Sequence, residues 1–495
     1  MSIMQKQTLG QKTATGVFWN FLELTGRQGI NVLVTLLLAR FLTPGDFGLV
    51  AMLSVFFAIA NALMDAGFRQ ALIRKKDATP VDYSTMFYTN LALGLLSYGL
   101  LFISSPSIAS FYKEPRLILL TRIVGVVVLI NSFQFVQIVD LTRRLDFKTQ
   151  FKVTVPAGVI SGIVAVVMAT KGFGVWSLVA QMLISPLLIT ISLWTINSWR
   201  PSLAFSLTSF REMFSFGSKL FLSGVLDIVF RNVYVIVIGK LFAATVAGWY
   251  FFTTKVIEIV VGQLSGSIQK ATYPALASIQ DDDARLKNAY RKVIKATVYV
   301  VFPTMTFLAA LAEPLFRLLL NPRWLPAVPY LQLLCVSALV YPLHVVNLNI
   351  LQVKGRSDLF LYLEILKKAI IVVVILISVR FGIYGLLLGQ IATSFFAYIP
   401  NSYFSARLIN YPAKEQLMDV LPTLGIALLS GAVMFLIGLL PDSNASLLIF
   451  FSQVIVGGVS YILLSLVIKL EAQMQLWGLC KSRLTASQPF KADSL

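Results

Sequence analysis

Histidine, cysteine and charge are all scarce in this 495-residue chain. His344 is the only histidine, which excludes a His-rich metal centre or a His-relay catalytic site. The two cysteines, Cys335 in an apolar run and Cys480 in a polar tail, imply neither a disulfide framework nor a thiolate metal set. Only 13% of residues are charged, where a soluble domain carries about 25%. Outer loops long enough to hold an extra domain are lacking, and so is a glycine-rich phosphate loop of the Walker type. A membrane enzyme, such as a glycan polymerase or ligase, therefore has little to work with. No catalytic residue, metal or cofactor is expected, and the chain reads as a non-enzyme.

Apolar residues dominate instead, at 57%, and no single globular core would bury that much. Windows of roughly 20 apolar residues predict an all-α polytopic membrane protein with about 14 transmembrane helices. The seventh is expected at 213–238 and the tenth at 329–350, with the longest loop, 269–293, solvated. The N-terminal segment is short and polar, and the apolar run after it contains Glu23 and Arg27, unlike the core of a cleavable signal. With the N-terminus inside, 29 of the 41 Lys and Arg fall in cytoplasmic segments and nine outside, and Arg27, Arg231 and Lys255 lie within spans. That asymmetry predicts cytoplasmic termini. It also accounts for the net charge of +19 as a topology signal and an attraction to anionic lipid, not a nucleic-acid surface.

A direct repeat divides the chain. Arg40-Phe41-Leu42 and Gly48 at the helix 1–2 junction recur as Lys240-Leu241-Phe242 and Gly248 at the helix 7–8 junction. Arg143-Arg144-Leu145-Asp146 matches Gly355-Arg356-Ser357-Asp358, and Gly172-Phe173-Gly174 matches Gly382-Ile383-Tyr384-Gly385. A six-helix unit keeps both copies in the same orientation. The expected organisation is an N-terminal lobe at 1–205, a parallel six-helix lobe at 206–410, helices 13 and 14 at 411–470 and a cytoplasmic tail at 471–495.

Charges inside spans are costly, at about 2.5–3.5 kcal/mol each on the mildest scale, so they should face protein or water. Helix 1 carries Asn20, Glu23, Arg27 and Asn31 on one face, and helix 7 carries Ser223, Asp227 and Arg231 likewise. Helix 2 adds Asn61 and Asp65, and helix 8 adds Lys255 and Glu258. These are the first two helices of each repeat, so their polar faces are expected to line one cavity. Arg27, Arg231, Lys255 and Asn31 are the candidate anion-binding residues, since a guanidinium fork matches phosphate oxygens. Glu23, Asp227 and Glu258 are candidates either for ion pairing with them or for binding a coupling proton or sodium ion. Asp65 reads more readily as a helix cap and His344 as a packed side chain. Trp176, Trp199, Trp249 and Trp324 read as an interfacial belt.

Leu38-Ala39-Arg40-Phe41-Leu42-Thr43-Pro44-Gly45-Asp46-Phe47-Gly48 resembles the helix 1–2 junction of the polysaccharide-transport branch of the MOP flippase superfamily. Asp65-Ala66-Gly67-Phe68-Arg69-Gln70-Ala71-Leu72-Ile73-Arg74, Tyr273-Pro274-Ala275-Leu276 and Pro322-Arg323-Trp324 resemble further stations of that branch, nearest to Wzx-type and colanic-acid-type exporters. The resemblance runs along almost the whole chain. It implies a fourteen-helix fold in two lobes and flipping of an undecaprenyl-pyrophosphate-linked oligosaccharide for surface polysaccharide. Glycan polymerases and assembly proteins would be its partners. The alternatives are an ion-coupled cation or drug antiporter of related fold, a membrane glycan-assembly enzyme and a scaffold for such enzymes.

Overall fold

The computed structural model describes residues 9–439 and 446–474, with side chains from 15 to 262, 272 to 439 and 447 to 474. Cys480, the rest of the expected tail and the side chain of Lys270 lie outside the described residues. Among the described residues every regular element is helical, and twelve helical stretches are long and apolar enough to cross a membrane. One of the twelve, 357–409, is a pair of packed helices.

Contacts divide the chain into two compact units, 1–251 and 252–495. The first contains α1 (Leu9–Phe41), α2 (Pro44–Asp65), α3 (Phe68–Arg74), α4 (Pro80–Tyr112), α5 (Arg116–Arg143), α6 (Phe147–Thr170), α7 (Val175–Ile196), α8 (Leu207–Arg231), α9 (Val233–Leu241) and the start of α10 (Ala244–Ala277). The second contains the remainder of α10, then α11 (Asp283–Ala310), α12 (Ala312–Leu319), α13 (Val328–Leu339), α14 (Tyr341–Val353), α15 (Ser357–Ser378), α16 (Gly382–Ile409), α17 (Ala413–Gly438) and α18 (Ser446–Val467).

The helix starts follow from local chemistry. In Thr43-Pro44-Gly45-Asp46 the Thr43 hydroxyl accepts from the Asp46 N–H (3.3 Å) and the Asp46 carboxylate accepts from the Thr43 N–H (2.9 Å), with Pro44 supplying the helical φ of the first turn. Thr79-Pro80-Val81-Asp82 opens α4 in the same way. Asp282 caps α11 by accepting from the Arg285 N–H at 2.9 Å. The loop expected at 269–293 is accordingly short, because α10 runs on to Ala277 and α11 begins at Asp283.

Two expected spans are broken. The seventh splits at Asn232, whose side-chain amide donates to the Ile228 carbonyl (2.8 Å) and so interrupts the ladder between α8 and α9. The tenth splits at Val340, because Pro342 offers no N–H to the turn before it and α14 restarts on it.

In the first unit α1 lies along α6, α4 along α5, and α2 touches α4, α5 and α8. Small residues set these distances, as expected where helices gain by close packing instead of by expelling water. A Cβ on Gly162 of α6 would meet Val34 of α1 at 2.4 Å. Gly48 and Gly248, which the repeat pairs, meet each other: a Cβ on Gly48 would lie 1.7 Å from the Ala244 carbonyl oxygen, and one on Gly248 would lie 1.7 Å from that of Pro44. At the α2–α3 corner Gly67 takes a left-handed φ of +74° and seats against Gly217 of α8. In the second unit α11 packs on α17, α17 on α18, and α16 on α13, α14 and α15. Lys287, Arg291 and Lys295 of α11 bind Glu415 and Asp419 of α17, and Lys295 also binds Glu471 beyond α18 (2.7 Å), so the last helices are tied to the unit by charge as well as packing.

The outer surface inverts that of a soluble protein. Ile103, Leu222, Leu376 and Val467 are among many large aliphatic side chains left exposed. Many inward hydroxyls are satisfied within their own helices, as when Thr89 donates to the Thr85 carbonyl and Thr121 to that of Leu117. Trp324 departs from the interfacial role expected of it. It is fully buried and packs against Phe252 (4.6 Å between ring centroids), because the turn of 3₁₀ helix at Pro322–Ala327 folds it inward.

The α8 seam leaves no room for side chains. Gly217→Val should push α8 off the α2–α3 corner and cost about 1–3 kcal/mol or more, since the neighbour is backbone. It would be read as lower yield and a lower thermal midpoint in detergent. Gly224→Ala, whose Cβ would meet nothing within 4 Å, should leave both unchanged.

Candidate functional site

On α1 the polar stripe divides between two environments. Glu23 is buried against α6, where its carboxylate accepts from the Thr154 hydroxyl (3.3 Å). Arg27, one turn on, reaches back to the same carboxylate at 3.5 Å but keeps 55% of its side chain exposed. Asn31, a further turn on, is exposed. Gly26 lets α6 come close, with Val155 and Phe151 nearest to where its Cβ would stand. Glu23 is thus a buried anion whose two partners come from different helices, and Arg27 has guanidinium surface left over for another ligand.

On α8, Ser223, Asp227 and Arg231 are all exposed and occupy successive turns of the half that ends at the Asn232 break. In the second unit Lys255 and Glu258 of α10 form an exposed pair at 2.7 Å. The expected pairings Glu23–Arg27 and Lys255–Glu258 are therefore present. Arg27, Arg231 and Lys255 are all exposed.

Asp65 and His344 make the contacts expected of a helix cap and a packed side chain. Asp65 accepts from the Arg69 N–H (3.2 Å) across the α2–α3 corner, as a cap would. His344 is held on both ring nitrogens, one against the Ser394 carbonyl (2.9 Å) and the other against the Asn401 amide (2.8 Å). That leaves the imidazole no free edge for a ligand. Gln137 donates to the Trp199 carbonyl at 3.3 Å. Sequence reasoning passed over Asn131, which donates to Asn61 across α5 and α2 at 2.9 Å. Its signal was an Asn-x-x-Gln pair, Asn131 and Gln134, inside an otherwise apolar run. It also passed over the buried set Tyr290, Asn347, Ser405 and Gln416, which knits α11, α14, α16 and α17 together.

The Glu23–Arg27 pair can be separated from any ligand role by stability. Arg27→Ala should strand a buried carboxylate and cost about 1–3 kcal/mol, below the figure for a fully buried pair because Arg27 is half-exposed. The double variant Glu23→Gln/Arg27→Gln should recover most of that loss in thermal denaturation.

The model for the family described as "Polysaccharide biosynthesis protein" matches residues 37–329. The teichuronic acid biosynthesis protein TuaB of Bacillus subtilis is 27% identical over 61% of this chain, and the match spans 63% of TuaB, just under two thirds of its length. The lipopolysaccharide biosynthesis protein WzxC of Escherichia coli is 25% identical over 77% of this chain and 78% of its own. Among solved structures the lipid II flippase MurJ, in an inward closed conformation, superposes with a TM-score of 0.71 at 14% identity, covering 91% of this chain and 98% of MurJ, a likeness of fold alone. With the matched family model spanning more than half of its length, the chain belongs to the polysaccharide biosynthesis protein family.

Proposed function

We propose that this protein flips an undecaprenyl-pyrophosphate-linked oligosaccharide across the bacterial inner membrane by alternating access, supplying repeat units for a surface polysaccharide. The observation that carries this reading is the exposure of Arg27 and Arg231 on membrane helices. An arginine exposed in a span is tolerated where it meets water or protein, not hydrocarbon, so a wet chamber beside these helices is the natural inference. The guanidinium groups of Arg27 and Arg231 suit a pyrophosphate, and Asn31 adds an amide for oligosaccharide or phosphate oxygens. The sugar would stay in water while the prenyl tail remains in lipid.

In this reading the membrane is crossed fourteen times. The twelve apolar stretches become thirteen spans when 357–409 is split into α15 and α16, and α1 adds the fourteenth despite Glu23 and Arg27. Both termini are cytoplasmic. A pyrophosphate diester carries about two negative charges, and an inside-negative potential favours their outward movement by about 2.3 kcal/mol per charge per 100 mV. No covalent step is required, and glycan polymerases and assembly proteins would receive the product.

The test is complementation of a strain lacking its own exporter, with lipid-linked oligosaccharide followed on both faces of the membrane. Arg27→Gln/Arg231→Gln should reach normal protein levels and lose at least about tenfold in flipping, since each charged hydrogen bond is worth about 1.5–3 kcal/mol. Flipping at the native rate in that variant would refute the assignment.

A further inference from the structure

Within the first unit, apart from the charged faces of α1 and α8, a cavity of about 330 Å³ lies between α2, α3 and α5. Asn61, Asp65, Arg69, Asn131, Gln134 and Phe135 are among the residues that line it. Its chemistry is set by a chain of amides. Asn61 Nδ2 donates to the Phe57 carbonyl (2.8 Å), Asn131 Nδ2 to Asn61 Oδ1 (2.9 Å), and Gln134 Nε2 to Asn131 Oδ1 (2.6 Å). The Phe57 carbonyl fixes the sense of the whole chain, because turning any one amide over would set oxygen against oxygen. The end of the chain is therefore an oxygen. Gln134 is 9% exposed, and its Oε1 is buried with no hydrogen-bond partner.

Asp65 adds a carboxylate one turn beyond Asn61. Its cation is held loosely: Arg69 Nε stands 3.7 Å away, too far for a hydrogen bond, and the guanidinium rests over the Phe135 ring at 4.7 Å. Arg69 keeps 42% of its side chain exposed, so it has a path to water. The cavity thus offers three amide oxygens with lone pairs to spare and one carboxylate, with every assigned amide donor turned into the protein. These oxygens outnumber the one cationic donor on the lining, Arg69 Nε, which is itself buried without a hydrogen-bond partner, and such a surplus of hard oxygen acceptors suits a small monovalent cation better than an anion or a divalent metal.

We propose that this cavity is a sodium site, in which Asp65, Asn61, Asn131 and Gln134 supply the oxygens and Na+ competes with Arg69 for the carboxylate. Asp65 also ends the helix that turns at Gly67 against α8, so ion binding acts beside a close helix contact. A role in coupling rests on the flippase reading above, whereas binding itself does not.

The experiment uses the full chain in nanodiscs and follows its thermal midpoint while NaCl, KCl or choline chloride is varied at constant ionic strength. Na+ should raise the midpoint saturably, and K+ and choline should not. Asp65→Asn should abolish the response. Gln134→Leu should raise half-saturating Na+ by about tenfold, and Arg69→Ala, which removes the competing cation, should lower it by about tenfold. An equal response to all three salts would overturn the site, as would an unchanged Na+ response in Asp65→Asn. If Asp65→Asn does not fold, unchanged half-saturation in Arg69→Ala is the contradicting result. Stabilisation by acid that Na+ leaves unaltered would assign Asp65 to a proton and also refute sodium. An intact Na+ response alongside unimpaired flipping in Arg27→Gln/Arg231→Gln would sink the proposed function and spare the site.

Discussion

A guanidinium exposed on a membrane helix must have water or protein beside it, because hydrocarbon offers its charge nothing. The helices of this protein obey that rule one side chain at a time. Ser and Thr hydroxyls turn back onto their own carbonyls, Asn and Gln pair across helices, and Glu23 is buried only where Thr154 and Arg27 can answer it. Arg27 keeps guanidinium surface that this pairing does not use, and Arg231 and Lys255 are exposed. The proposed function rests on that exposed charge.

The packing serves the same end. Glycines at the α2–α10 and α2–α8 approaches let backbones touch, so few side chains are needed to fill those seams. Where the chain must turn, threonine–proline–aspartate caps and the Asn232 and Pro342 breaks define the ends of helices. The charged cluster of Lys287, Arg291, Lys295, Glu415 and Asp419 holds α11 to α17 at their polar ends. Aliphatic side chains are left on the outside, where a lipid solvent makes their exposure inexpensive.

Much of this could be read from the sequence. Apolar length marked the spans, and the sense of each capping box lay in Thr-Pro-x-Asp. The ion pairs at Glu23–Arg27 and Lys255–Glu258 followed from helical spacing alone. The resemblance carried by the Arg40–Gly48 and Asp65–Arg74 segments led to the family. What the sequence hid was tertiary. Trp324 reads as interfacial until the turn that buries it is seen, and Pro342 reads as tolerable within a span until the helix restarts on it. Nothing in the sequence pairs Asn131 with Asn61, which is far away along the chain. Periodicity tells which residues share a face but not what that face meets.

The central claim is that the polar face of α1 borders water within the membrane. The most direct measurement is labelling by a small, membrane-impermeant thiol reagent of a cysteine placed at Asn31, in a chain with Cys335 and Cys480 replaced by serine. Leu33→Cys, on the opposite side of the same helix and 63% exposed, is the reference. The account predicts rapid labelling at position 31 and little at 33. Protection of 31 from both sides of the membrane, with 33 equally protected, would contradict it.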